Sequence, residues 1–190
     1  MTQPKQTGAV RAPEMDPAST YVTGLYNTPE SANRAYDELR THHGYAAEDI
    51  DVVMSDATRE RYVEAAGTTL KVEEGTKAAE GLAAGGAIGG GLGAALGAMF
   101  AIGASIVVPG VGLVVAGPIA AALAGAGAGA ATGGIIGALV GAGIPEERAM
   151  VYEKGLKAGG VVVGARARDD AHAAQLERDF EAYGGTGVRR

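Results

Sequence analysis

The chain has 190 residues, 32 of them glycine, no cysteine, and a formal net charge of -6 with a pI near 5.1. Without cysteine there is neither a disulfide framework nor a cysteine zinc site, and an acidic balance without a Lys/Arg cluster argues against nonspecific nucleic-acid binding. Composition is also divided along the chain: 20 of the glycines lie between Gly81 and Pro145, a stretch with no charged residue whose only side-chain hydroxyls are Ser105 and Thr132.

Residues 1–19 hold Pro4, Pro13 and Pro17, little apolar bulk and no apolar run of the kind a secretory signal needs, so they are expected to be a disordered tail on a chain that is not secreted. Tyr21-Val22-Thr23-Gly24-Leu25-Tyr26 then predicts a strand. Thr28-Pro29-Glu30 predicts a helix start, with Thr28 as the N-cap, proline at the first helical position and an acid at the positive end of the dipole. Ala32, Ala35, Tyr36 and Leu39 recur at helical spacing as its buried face, and Gly44 ends it. Ile50 to Ser55 predicts a second strand.

The matching half comes only after the glycine-rich region. Gly160 to Ala167 predicts a strand, Asp169 a cap for a helix through Ala173, Leu176, Phe180 and Ala182, and Gly184 to Val188 a turn into a short edge strand. Joined together, residues 20–55 and 159–190 give the order β, α, β, β, α, β. That is an α+β, ferredoxin-like split βαβ sandwich interrupted between its second and third strands.

Within the interruption, residues 56–80 are charged and predict a linker that becomes helical near its end. Residues 81–144 predict a helical hairpin with arms from Gly81 to Val107 and from Pro118 to Ile144, turning at Pro109 and Gly110. Residues 145–158 predict an amphipathic connecting helix that opens on Pro145, Glu146 and Glu147 and buries Met150, Val151 and Leu156.

Two glycine ladders run through the arms. Gly81, Gly85, Gly89, Gly93 and Gly97 form the first; Gly125, Gly129, Gly133, Gly137 and Gly141 form the second. A glycine every fourth residue lines one helix face with no side chains, which lets a second helix approach backbone to backbone. The same pattern is a poor design for a lone helix in water, where each glycine costs roughly 1 kcal/mol relative to alanine. Each 27-residue arm is long enough for a bilayer. From Ala124 to Gly134, however, nothing is larger than threonine, so the second arm needs close neighbours and the ladders imply multi-helix assembly.

The Thr28-Pro29-Glu30 turn, the Pro109-Gly110 break, and above all Gly143-Ile144-Pro145-Glu146-Glu147 followed by Tyr152-Glu153 and Gly159 to Val163 resemble the bacterial general stress protein family with the heat-induced YflT-like domain, in its glycine-zipper form. The resemblance runs from about Tyr21 to Tyr183. It implies a stress-associated, noncatalytic protein and supplies no catalytic residues.

Signals of chemistry are sparse. Gly89 to Ala94 matches a relaxed dinucleotide fingerprint, but no strand precedes it and no acid follows about 20 residues on. His42, His43 and His172 share no metal-ligand spacing and are expected to be solvated helix-end residues. The acid pairs Asp37/Glu38, Glu73/Glu74, Glu146/Glu147 and Asp169/Asp170 fit dipole and solvation roles, and the seven tyrosines fit packing. No catalytic, cofactor or metal residue is therefore expected. The sequence predicts a non-enzymatic protein that assembles with itself through the two ladders, with a cytoplasmic head and its hairpin in or on the inner membrane. The alternatives are a soluble homo-oligomer whose hairpins bury each other and a ligand-binding regulatory module on the sheet.

Overall fold

The computed structural model describes residues 20–65, 105–108, 112–120, 134–141 and 143–189. Six strands form one sheet in the order β3-β4-β2-β5-β1-β6, every neighbouring pair antiparallel. They are β1 (Tyr21–Tyr26), β2 (Ile50–Ser55), β3 (Ser105–Val108), β4 (Leu113–Ala116), β5 (Val161–Arg166) and β6 (Thr186–Arg189). Among the described residues the helices are α1 (Pro29–Thr41), α2 (Asp56–Ala65), α3 (Gly134–Gly141), α4 (Glu146–Lys157) and α5 (Asp170–Ala182).

Period-two alternation divides the sheet residues between two cores. Val22, Tyr26, Ile50, Val52, Met54, Val114, Val161 and Val163 point to the α1 and α5 side, where they meet Ala35, Tyr36, Leu39, Leu176 and Phe180. Leu25, Val53, Leu113, Val115 and Val162 point to the other side, against Ile119, Ala120, α3 and α4. Register keeps these sets aligned: Val22 faces Ala165, Val52 faces Val163 and Val53 faces Val115.

Local chemistry explains where several helices begin and end. The Ser31 N–H donates to Thr28 Oγ1 at 3.3 Å, the His172 N–H to Asp169 Oδ1 at 2.7 Å, and the Thr58 N–H to Ser55 Oγ at 3.1 Å. At the far end of α3, Gly143 takes φ +90°, its N–H bonds to Val140 O at 2.9 Å, and the Ile144 N–H reaches back to Leu139 O at 3.0 Å. This is a Schellman stop, with Ile144 and Leu139 in one apolar cluster.

Four expectations are corrected. Residues 105–108 and 113–116 are paired strands rather than the end of a helical arm and its link; Ile106, Val107 and Val108 face Val115, Val114 and Leu113, and β-branched runs suit a pleated surface better than a helix. A single helix from Pro118 to Ile144 is also excluded, because Gly134 has φ +61° and α3 ends at Gly141. The charged segment after β2 is helical from its first residue, Asp56, not only near its end.

In α4, Met150 and Val151 are exposed, at 48% and 49%, while Ala149, Tyr152, Gly155 and Leu156 are buried. Glycine at 155 brings that helix close to the sheet: a Cβ there would lie 2.2 Å from Leu25 Cδ2. Tyr152 turns inward because its hydroxyl is satisfied, 2.7 Å from Thr23 Oγ1 and 3.2 Å from the Gly187 carbonyl.

Among the described residues no helix is long and apolar enough to cross a membrane. Residues 1–19, 66–80 and the whole first ladder, together with Pro109, Gly110, Gly125, Gly129 and Gly133, lie outside the described residues.

Candidate functional site

Two places bring buried polar side chains together. The first is where the second apolar segment leaves the sheet. Asp51, on β2, is 1% exposed and faces the α3/α4 side, where its Oδ1 accepts from the Ile119 N–H at 2.5 Å and its Oδ2 from the Tyr21 hydroxyl. Gly117 takes φ +90° directly above it, and a Cβ there would lie 2.3 Å from the Ile50 carbonyl oxygen and 2.8 Å from Asp51 Oδ1. Only glycine fits both the torsion and the contact.

Burial pushes the Asp51 carboxyl up to about 7, against the opposing pull of the Tyr21 and Ile119 hydrogen bonds and of Arg166. Burial and the neighbouring Asp51 charge push the Tyr21 phenol well above its usual value. Asp51 thus pins the helical residues 118–120 to β2, an inner strand of the sheet.

The second place lies where the end of α1 meets α5. His172 and Asp179 are two turns apart on one face of α5, and the imidazole of His43, 6% exposed, sits between them. The Arg168 N–H donates to His172 Nδ1 at 3.2 Å, which leaves that ring's proton on Nε2. Nε2 is 3.0 Å from His43 Nδ1, and His43 Nε2 is 3.0 Å from Asp179 Oδ2. Protons therefore run in one direction, from His172 through His43 to the Asp179 carboxylate.

Tyr45 stacks on His172 at 5.9 Å between centroids, and Arg168 lies 5.2 Å over the Tyr45 ring while donating to the His43 carbonyl. Partial burial, then the Arg168 charge and His43, lower the His172 pKa. Glu38 completes the group: its Oε2 accepts from the Tyr183 hydroxyl at 2.7 Å and lies 2.9 Å from Nδ1 of the exposed His42.

His42, exposed at the end of α1, is a solvated helix-end residue as expected; His43 instead is buried against His172 and Asp179, which corrects the expectation for that residue. Sequence spacing could not show it, since 129 residues separate His43 from His172. The one local signal is the i, i+7 placement of His172 and Asp179.

Of the ladder glycines, Gly137 and Gly141 are described, both in α3. Gly141 has nothing within 4 Å of where its Cβ would be, so among the described residues it serves no helix contact. Ile135, Ala138 and Leu139 of the same helix are buried against the sheet. A shallow groove of about 470 Å³ between α5 and β6 is lined by Glu177, Arg178, Glu181, Val188 and Arg189 among others, and places no ladder residue. No family model, curated protein or solved structure matches the chain.

Proposed function

We propose that this is a non-enzymatic, stress-associated structural protein of the general stress family that assembles with copies of itself through its small-residue segments, in or on a membrane. The head in this reading is a ferredoxin-like split βαβ unit, supported by the consecutive order β2-β5-β1-β6 and by α1 and α5 sharing one sheet face. The β3-β4 hairpin then extends that unit at its β2 edge.

The observation that carries assembly is the anchoring of the second segment. Ile119 and Ala120 before it and Ile135 after it belong to one apolar cluster on the sheet, so the intervening glycine-alanine stretch leaves and rejoins the same face. From Ala124 to Gly134 that stretch has no side chain larger than threonine with which to fill a core of its own, and a second smooth segment from another copy supplies the missing contact.

A soluble assembly is the second reading, favoured by α3, whose Ile135, Ala138 and Leu139 are already occupied by the chain's own sheet and are not available to lipid. Multi-angle light scattering of the full chain should give a multimer that Gly129→Leu with Gly133→Leu dissociates; a wild-type monomer, or a variant of unchanged mass, would overturn the assembly claim. Vesicle flotation separates the two settings, since a chain that assembles yet stays at the bottom of the gradient is a soluble oligomer.

A further inference from the structure

We infer that Glu38, His43 and Asp179 form a binding site for one divalent transition-metal ion of the zinc class. A carboxylate oxygen of Glu38, a ring nitrogen of His43 and a carboxylate oxygen of Asp179 all lie within 4.8 Å of one another. Ligand distances of roughly 2.0–2.2 Å to a shared ion need only a modest closing of that triangle, by rotation of two carboxylates that lie on facing helices. His43 is the anchor, being 6% exposed and held from its far side by His172.

The donor set matches the ion. Two carboxylates and a neutral imidazole place two negative charges around a dication, and an imidazole ligand favours zinc, nickel or copper over calcium and magnesium. The fourth position is open to His42, whose Nδ1 is already 2.9 Å from Glu38 Oε2, or to water.

Binding at His43 Nε2 replaces the hydrogen bond to Asp179 and moves the His43 ring proton to Nδ1. From there it is donated to His172 Nε2, the outer hydrogen bond that orients a metal-bound histidine. His172 then carries its own proton on Nδ1, so the 3.2 Å bond from the Arg168 N–H is lost and the His172 ring shifts. Because Glu38 and His43 lie in the first half of the split unit and Asp179 in the second, the ion links parts of the chain that are far apart in sequence. This site is independent of the assembly reading.

Zn²⁺ titration of the untagged full-length chain against a chromophoric chelator should show one ion per chain, a rise in melting temperature, and slow-exchange shifts of the His43 and His172 ring resonances. Asp179→Asn keeps an acceptor for the His43 Nε2–H and so preserves the metal-free contact; it and Glu38→Gln should each weaken binding by at least about 10-fold, with Co²⁺ losing its low-symmetry visible spectrum. Absence of saturable one-to-one binding by the wild type overturns the site. So do ring shifts that spare His43, a measurement that needs no variant to fold, and unchanged affinity in a folded Glu38→Gln/Asp179→Asn double variant.

Discussion

The two faces of the sheet are closed by different means. On the α1/α5 face large side chains interdigitate, with Tyr26 and Phe180 meeting edge to face at 6.2 Å and Tyr36, Leu39 and Leu176 fully buried around them. On the α3/α4 face glycine and alanine do much of the work: Ala120, Ala138 and Ala149 are buried, and Gly117 and Gly155 let backbone come against the sheet. Loss of volume is the expected weakness of the first face, and gain of volume at Gly117 and Gly155 that of the second.

The largest break in that contrast is expected at Gly117→Val. Its positive φ and the 2.3 Å approach to the Ile50 carbonyl leave nothing flexible to give way, so the loss should be roughly 3–5 kcal/mol in denaturant unfolding. Gly155→Ala should cost less, roughly 1–3 kcal/mol, because it meets the Leu25 side chain rather than backbone. If Gly155→Ala proves as damaging as Gly117→Val, backbone approach is not what distinguishes this face.

Asp51 sharpens the contrast through pH. Its carboxyl is raised from 3.8 to about 7 in the folded chain, so well below pH 3.8 both states are protonated and the difference between them vanishes. As pH rises from 4 to 7 the unfolded chain loses the proton first, and stability falls; above 7 the loss is complete. Asp51→Asn, which keeps an acceptor for the Ile119 N–H, should remove this slope and be more stable than wild type at pH 8 by roughly 2–4 kcal/mol while matching it well below pH 3.8. Parallel stability curves for the two proteins would contradict the desolvation of the Asp51 carboxylate by burial.

What the sequence made legible follows the same division. Both helices of the α1/α5 face and the strands β1, β2, β5 and β6 were readable from local signals: a capping threonine, four buried residues at helical spacing, a valine run and a capping aspartate. The other face was not, because its signals are tertiary. Met150 and Val151 are more hydrophobic than Ala149 and Gly155, yet close backbone approach selects the small residues as the inner face. The strands at 105–108 and 113–116 sit in a run so apolar that hydropathy cannot separate a buried strand from a helix. The histidine junction was hidden for a third reason, since its members are local to nothing but the folded chain.

A smaller effect tests how far each face can relax. Leu39 and Leu139 are both fully buried, one in α1 and one in α3. Leu39→Ala leaves a void among aromatic rings and leucines held by several elements, so it should cost about 4 kcal/mol, near the upper end for such changes. Leu139→Ala lies in an eight-residue helix beside small neighbours that can close toward the gap, and should cost about 2 kcal/mol. Equal losses, measured by urea unfolding at one pH, would mean that the small-residue face is as rigid as the other.

The smallest expected effect concerns the α1/α5 face alone. Thr28→Ala and Asp169→Ala each remove one side-chain acceptor from a helix start, without touching either core. Each should cost about 1 kcal/mol. The Asp169 bond is shorter, 2.7 Å against 3.3 Å, and its acceptor is charged, so its loss should be the larger of the two. Because α1 and α5 pack on the same face and touch, the double variant reports whether they respond as one unit: a loss equal to the two single losses means independent caps, and a smaller one means that the first frayed helix already loosens the second.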